Sequence, residues 1–370
     1  LTGKSRLINK VCFYISSFTG GGAERENVYL ANELSKRGYA VDLVVSKGTG
    51  PLKELVEPSV NCICLGVPLA AEPFVFAKYI YTNKPQTIIS SLTVCNIIAA
   101  LSRLFYLGKV KIVWRVVSNL SNARAHNAGS RLLRYAPRIY RYLSFVPSRI
   151  VCVSKGVADD LSQQHELPAH KLLTIYNPAY SPVIHQMARE NVSDTMFSSS
   201  ESDFRFITVG RLTRAKAFEK LITAFSNVVQ SYPNCSLSIV GDGELRAELV
   251  AQAEELNISD QVHFWGFQIN PYKYLARANC FVLSSDYEGF GNVLIEAMAL
   301  NIPVISTDCE SGPAEILEGG KLGTLVPVGD VDALSKAMAS EIQQRRIVDT
   351  LSAAKNYSVE NIATMYEQLI

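Results

Sequence analysis

One pattern repeats along the chain and restricts its fold: a short apolar run, a glycine-rich turn, then apolar residues at helical spacing. The first instance runs Val11-Cys-Phe-Tyr-Ile-Ser16, then a turn from Phe18 to Ala23 holding Gly20, Gly21 and Gly22. Glu24 to Lys36 follows, with Val28, Ala31 and Leu34 on one face. Gly38 stops that helix, and Val41 to Ser46 reads as the next strand. Strand, turn, helix and strand in that order predict a parallel sheet. Further strand-like runs lie at 87–91, 111–117 and 150–154. A second series then begins, with strands at 206–210, 236–241, 262–266, 280–284, 303–306 and 323–327 and helices between them. The predicted class is α/β, with two doubly wound Rossmann-like domains. Their expected bounds are 1–184 and 204–355, joined by a polar linker at 185–203. A terminal helix in 356–370 is expected to pack across the domains. Ligands of such sheets bind at the carboxyl ends of the strands, and two halves would leave a cleft between them.

Composition narrows the function. With 48% hydrophobic and 19% charged residues, the chain can bury a core. Its net charge of +2 excludes a generic polyanion binder. Eight cysteines fall mostly in strand-like runs, where a buried free thiol is expected. Cys62 and Cys64 form the one close pair, without a second Cys/His pair at zinc spacing, so no metal site is expected. No export signal and no membrane-spanning stretch is visible, and the pattern suits a reducing cytoplasm. The small net charge hides an asymmetry: Pro73 to Ala158 has thirteen basic residues and no Asp or Glu. Aromatics interleave with arginines at 131–143, a mixture that suits a lipid headgroup interface. No nucleic-acid motif accompanies it, so an anionic membrane surface is the expected partner.

Three segments carry chemistry. Gly20-Gly21-Gly22 lies between a strand and a helix, where backbone N–H groups can approach a phosphate. It is not Gly-x-Gly-x-x-Gly, so it does not read as a dinucleotide site. Gly210-Arg211-Leu-Thr-Arg214-Ala-Lys216 follows a strand, and Arg211 with Lys216 suits a diphosphate whose charge grows as a bond to it breaks. Asp286-Tyr-Glu288-Gly289-Phe290-Gly291-Asn292-Val293-Leu294-Ile-Glu296 combines two carboxylates with two glycines at a helix start. Carboxylates flanking an anion pocket suit hydroxyl groups, and the whole suits a sugar nucleotide.

With these residues in place, the sequence resembles the retaining glycosyltransferases of family 4. These have the GT-B architecture of two Rossmann-like domains facing each other across a cleft. The resemblance rests on Gly20-Gly21-Gly22-Ala23-Glu24, Gly210-Arg211-Leu212 with Lys216, Val240-Gly241-Asp242-Gly243, and the Glu288-x7-Glu296 segment with its glycines. Thr307-Asp308-Cys-Glu-Ser-Gly312-Pro313-Ala-Glu315 resembles the branch that builds bacterial polysaccharides and lipid-linked oligosaccharides. The resemblance implies catalytic roles for Glu288, Arg211 and Lys216. It implies donor contacts at Gly210, Gly241, Gly243, Phe267, Gly289, Phe290, Gly291, Asn292, Val293, Leu294 and Glu296. Glu296 would hold the ribose and the turn at Gly266-Phe267 would border the base. Gly20, Gly21, Gly22 and Glu24 would face the diphosphate and acceptor. Two departures stand out. Ala217 follows Lys216 where the family has glycine, and the usual first-domain histidine is missing, leaving Arg115, Asn119 and His126 as candidates for its place.

The implied activity is transfer of a hexose or N-acetylhexosamine, with retention, from a uridine-linked nucleotide sugar to a lipid-diphosphate-linked or polysaccharide acceptor. No metal cofactor is implied, and the enzyme would sit peripherally on the inner face of the cytoplasmic membrane. A nucleotide-sugar epimerase of the same fold and a two-lobe sugar-binding protein stand as alternatives. An epimerase would turn over donor without acceptor, and it would give the basic block no purpose.

Overall fold

The computed structural model describes residues 9–19, 21–106, 108–122, 131–192, 204–345 and 348–370. They form two compact units: Leu1–Pro178 with Val359–Ile370, and Ala179–Ser358.

The first unit is built on a parallel sheet that holds, among the described residues, seven strands. They are β1 (Lys10–Ser17), β2 (Ala40–Lys47), β3 (Asn61–Cys64), β4 (Thr87–Ser91), β5 (Lys111–Val116), β6 (Arg149–Cys152) and β7 (Leu172–Thr174), in the order β3-β2-β1-β4-β5-β6-β7. β1 reads as an unbroken apolar run because helices cover both faces of a parallel sheet, so Val11 to Ile15 are all buried. The sheet order reverses between β1 and β4, which places the switch point beside the turn at Gly21 and Gly22. The helices Glu72–Asn83, Thr93–Leu104 and Arg131–Leu143 pack in sequence, the middle one against both others. Helix Gly22–Lys36 packs instead against the terminal helix Val359–Glu367.

That terminal helix is part of the first unit, in whose core Ile362, Ala363 and Tyr366 are buried. Arg37 fastens it, bonding Glu367 at 2.7 Å, the Glu360 carbonyl at 2.7 Å and its own helix's Glu33 at 2.8 Å.

The second unit repeats the plan with six strands among the described residues. They are β8 (Phe204–Val209), β9 (Cys235–Val240), β10 (Val262–Gly266), β11 (Cys280–Leu283), β12 (Val304–Thr307) and β13 (Thr324–Val326), ordered β10-β9-β8-β11-β12-β13. Its switch point lies between β8 and β11, so the loops after these strands meet at the ligand edge. These are the loops that carry Lys216 and Glu288.

The linker expected at 185–203 begins differently. Helix Val183–Ala188 buries Ile184 and Ala188 and packs on helices Tyr272–Leu275 and Asn292–Ala299. Asn270 Nδ2 donates to the Met187 carbonyl at 2.8 Å. The second unit therefore starts at Ala179, and residues 193–203 lie outside the described ones. Polar composition after residue 185 concealed a helix that begins just before it, anchored by Ile184 and Ala188. The cysteines are free: Cys62 and Cys64 are exposed on β3 and the other six are buried.

Arg115 is the first unit's least expected core residue, 1% exposed. Its guanidinium pairs with buried Glu26 and donates to Asn177 Oδ1 at 2.6 Å. Burial works against its charge, but Glu26 outweighs that and holds its pKa above the ordinary value. Removing one partner of such a pair leaves a buried uncompensated charge, at a cost of about 3–5 kcal/mol. Arg115→Met is therefore expected to lower the thermal midpoint of the first unit steeply. The double variant with Glu26→Gln should recover much of the loss; equal melting of wild type and single variant would show that the pair contributes nothing.

Candidate active site

β8 ends at Val209 and leads into Gly210, exposed Arg211 and fully buried Leu212. This turn lies against the turn after β9. The Gly210 N–H donates to the Val240 carbonyl at 3.0 Å, Leu212 N–H to the Asp242 carbonyl at 3.0 Å, and Leu245 N–H to the Leu212 carbonyl at 3.2 Å. Gly241 has φ 142°, and a Cβ there would sit 1.9 Å from the Gly210 carbonyl oxygen. A Cβ on Gly243 would sit 2.4 Å from the Leu212 carbonyl oxygen. The packing of the two turns alone requires both glycines, whatever they later bring near a ligand.

A short turn, Arg214–Lys216, leads to Ala217 at φ 47° and ψ 42°. This left-handed conformation is why a glycine is expected there; for alanine it costs roughly 1–2 kcal/mol. The methyl group is fully buried, and helix Phe218–Ser231 starts directly after it.

The loop after β11 is fastened to this turn at several points. Ser284 Oγ donates to the Lys216 carbonyl at 2.8 Å, and Asp286 N–H donates to the Ala215 carbonyl at 2.9 Å. Lys216 Nζ meets Glu288 Oε1 at 2.5 Å, and Ser285 Oγ donates to the same oxygen at 2.6 Å. One helical turn further on, Lys220 Nζ pairs with Asp286 Oδ1 at 2.6 Å. Cys309 lies nearby with its thiol pushed up to about 12 by burial first and by Glu288 second. Thr307 Oγ1 donates to the Ser285 carbonyl at 2.6 Å and braces the loop from β12.

Gly291, at φ 97°, turns the chain into helix Asn292–Ala299 and, lacking a side chain, brings no side-chain cap of its own. Phe290 and Leu294 are core residues; Phe290 packs edge-on to Tyr357 with ring centroids 5.6 Å apart. These two can meet a donor only through their backbone. Gly312, at φ 100°, is required here too, since a Cβ would sit 1.7 Å from the Phe290 carbonyl oxygen. Tyr272 OH donates to Glu296 Oε1 at 3.3 Å. Gly289, Asn292 and Val293 are half-buried, and Phe267 is exposed after β10. Arg211 makes no ion pair among the described residues, so Glu288 is the partner of Lys216 but not of Arg211. Sequence reasoning missed Ser285, Lys220 and Tyr272, which belong to no spaced pattern, and it quoted Asp286 and Cys309 within longer segments without giving either a role.

In the first unit, Gly21 precedes helix Gly22–Lys36 as its cap residue, and a Cβ on it would sit 2.2 Å from Glu24 Oε2. Ser16 Oγ donates to Glu24 Oε1 at 3.3 Å. Gly20 and His126 lie outside the described residues. The other two candidates for the missing histidine are corrected by the structure. Arg115 is buried in its ion pair, away from solvent. Asn119 is buried and caps a helical turn, with Asn122 N–H donating to its Oδ1 at 3.0 Å. Asp160 takes the preceding N–H groups, Leu120 N at 2.8 Å and Ser121 N at 3.4 Å, and the Ser121 hydroxyl at 2.5 Å. His165 Nε2 lies 3.2 Å from that hydroxyl and 3.5 Å from Asp160 Oδ2. This Ser, His and Asp share one ring nitrogen, so they form a helix-capping cluster and not a relay.

Burial works to raise the Asp160 pKa, but the bonds from His165, Ser121 and Leu120 outweigh it and hold it below the usual carboxylate range. Its stabilisation is therefore present above the ordinary carboxylate pKa and is lost as pH falls through the lowered value. Asp160→Asn is expected to cost about 1.5–3 kcal/mol at neutral pH and to flatten the acid side of the stability profile. Thermal melts between pH 7 and 3 check this; parallel profiles for the two proteins would contradict it. Gly241→Ala should destabilise the second unit strongly through its clash with the Gly210 carbonyl, whereas Ala217→Gly should leave its melting nearly unchanged.

Known proteins share both units. Residues 20–179 match the family model described as Glycosyltransferase Family 4, and residues 194–358 match the one described as Glycosyl transferases group 1. The lipopolysaccharide core biosynthesis glycosyltransferase LpsE of Rhizobium meliloti is 32% identical over 378 residues, covering 95% of this chain and 96% of that one. The N-acetylgalactosamine-N,N'-diacetylbacillosaminyl-diphospho-undecaprenol 4-alpha-N-acetylgalactosaminyltransferase of Campylobacter jejuni is 28% identical over 362 residues, covering 92% of each. The crystal structure of Anabaena HepE in complex with UDP and glucose shares the fold, with a TM-score of 0.80 at 20% identity over 97% of this chain and 98% of that one. Two parallel sheets with the site residues at the second switch point, and a relative matched end to end, place the chain among the family 4 glycosyltransferases of GT-B fold.

Proposed function

We propose that this glycosyltransferase moves a hexose or N-acetylhexosamine from a uridine diphosphate donor to a lipid-diphosphate-linked or polysaccharide acceptor, with retention, in bacterial surface-glycan biosynthesis. The observation that carries the reading is the Lys216–Glu288 pair at the ligand edge of the second sheet, in the loop that leads into the N-terminus of helix Asn292–Ala299. The Campylobacter relative is named for transfer to a sugar on diphospho-undecaprenol, and the Anabaena protein was crystallised with UDP and glucose; both support the substrate classes.

Without donor, Lys216 neutralises Glu288. An arriving diphosphate competes for the ammonium, and Glu288, still bonded by Ser285, becomes available to donor-sugar hydroxyls. Negative charge grows on the diphosphate as its bond to the sugar breaks. Lys216, Arg211 and the N-terminus of helix Asn292–Ala299 stabilise that charge, strongly so where water is excluded. This account needs no metal, because cations of the chain supply the positive charge. Glu296, oriented by Tyr272, holds the ribose and contributes equally in ground and transition states. Among the described residues no helix is long and apolar enough to cross a membrane. The reading places the enzyme peripherally at the inner face of the cytoplasmic membrane because a lipid-borne acceptor would lie there.

A charge-assisted contact is worth about 1.5–3 kcal/mol, so Lys216→Ala should slow transfer roughly ten- to a hundred-fold. Glu288→Gln should mainly lower kcat, and Glu296→Gln should mainly raise KM for the donor. Steady-state kinetics with a uridine diphosphate sugar check all three, and unchanged rates in Lys216→Ala would remove that cation from the mechanism. NMR of the product should show the donor's anomeric configuration kept; inversion would refute retention.

A further inference from the structure

Three helices of the first unit cover one face of its sheet. Tyr14 of β1 is in register with Ser90 of β4, and Ser90 with Trp114 of β5, so all three side chains point to the same side. Phe76 of helix Glu72–Asn83 stacks on Tyr14 with ring centroids 4.3 Å apart. Tyr140 of helix Arg131–Leu143 packs on Trp114 at 4.6 Å, and Asn96 of helix Thr93–Leu104 accepts from Ser90 Oγ at 2.7 Å. Residues on the far side of these helices therefore face away from the sheet together.

That outer surface carries a repeated arrangement. Phe74, Lys78 and Tyr81 form one stripe at i, i+4 and i+7, all exposed, with Phe74 60% and Tyr81 70% open to solvent. Tyr135, Arg138 and Tyr142 form another at i, i+3 and i+7, with Tyr142 77% open. Phe105, 58% exposed, packs against Phe74 with ring centroids 4.9 Å apart, next to exposed Leu104. An aromatic ring on helix Glu72–Asn83 and one directly after helix Thr93–Leu104 thus touch each other at the surface while more than half of each stays in water. No acid lies between Pro73 and Ala158, and Glu72 just before is buried, accepting from Tyr14 OH at 2.5 Å and Ser46 Oγ at 2.8 Å. Arg141, on the same helix as Arg138, is paired with Glu166 at 2.6 Å.

We propose that this face lies on an anionic lipid bilayer, with the Phe74–Phe105 pair seated at the boundary between headgroups and acyl chains. Aromatic and cation alternating along a helix suits that boundary, where rings enter the apolar side and lysine or arginine stems reach back to phosphates. A second copy of the chain fits less well, since a self-complementary contact would bring the same cations together, and Glu166 beside them is already paired with Arg141. The inference deepens the reading of a membrane-borne acceptor, and it is tested by binding, apart from turnover.

The full chain is sedimented with vesicles of phosphatidylglycerol and phosphatidylethanolamine, and with vesicles of phosphatidylcholine alone. Wild type should bind the anionic vesicles at least ten-fold better, and part of that binding should survive high salt because the rings contribute as well as the charges. Phe74→Ser with Phe105→Ser should lose at least ten-fold of the binding while transfer to a short-chain soluble acceptor is unchanged. Phe74→Trp supplies a second readout: its emission should shift to the blue with anionic vesicles. Vesicle binding unaffected by the double substitution, no emission shift, or a dimer in light scattering that the double substitution dissociates would overturn the proposal. Loss of transfer to every acceptor with vesicle binding intact would instead count against the proposed reaction.

Discussion

A carboxylate and an ammonium held 2.5 Å apart organise the second unit's ligand edge. Glu288 and Lys216 lie on loops from β11 and β8, the two strands flanking the switch point, and a backbone bond from Asp286 to Ala215 and a bond from the Ser284 hydroxyl to the Lys216 carbonyl fix these loops to each other. In the reaction proposed above, the pair divides when the diphosphate arrives, which would couple the binding energy of the donor to the state of the glutamate. Ser285 bonds the same carboxylate oxygen as Lys216 and would keep it positioned through that exchange. The second pair, Lys220 with Asp286, holds the base of the same loop.

Glycines in this unit have two separable uses. Gly241, Gly243 and Gly312 are required because neighbouring carbonyls occupy the space of a Cβ. Gly291 is required by its left-handed backbone at the start of a helix. Ala217 occupies a similar left-handed position, at φ 47°, with a methyl group that the core encloses. The departure from the glycine pattern is therefore accommodated by the fold and leaves the neighbouring Lys216–Glu288 pair formed.

Local patterns made much of this legible in advance. Apolar runs broken by glycine turns marked the strands of both sheets, because a parallel strand buries both faces and needs little else to identify it. Glu288 and Lys216 were legible because their spacing from glycines and strand ends is a local property. What escaped depends on long-range pairing. Arg115 read as a candidate for the missing histidine's place, yet its fate is set by Glu26 and Asn177, distant in sequence. Asn119 read as a site residue, although its spacing from Asn122 is that of a helix cap. The polar stretch from 185 hid a helix whose anchors are two small patches of apolar surface. Terminal helix Val359–Glu367 showed its apolar face in the sequence but not which unit that face would join.

The route of the chain has a consequence for its birth. The first unit is completed by residues that follow the entire second unit, and Ile362, Ala363 and Tyr366 fill its core. At roughly 5–20 residues per second of synthesis, tens of seconds separate the first unit's sheet from the helix that closes it. During that interval the groove later filled by Tyr366, with the Arg115–Glu26 pair beneath it, stands open. The nascent first unit is thus an unfinished body offering apolar surface to chaperones, while the second unit, continuous in sequence, can complete its own core before the chain returns.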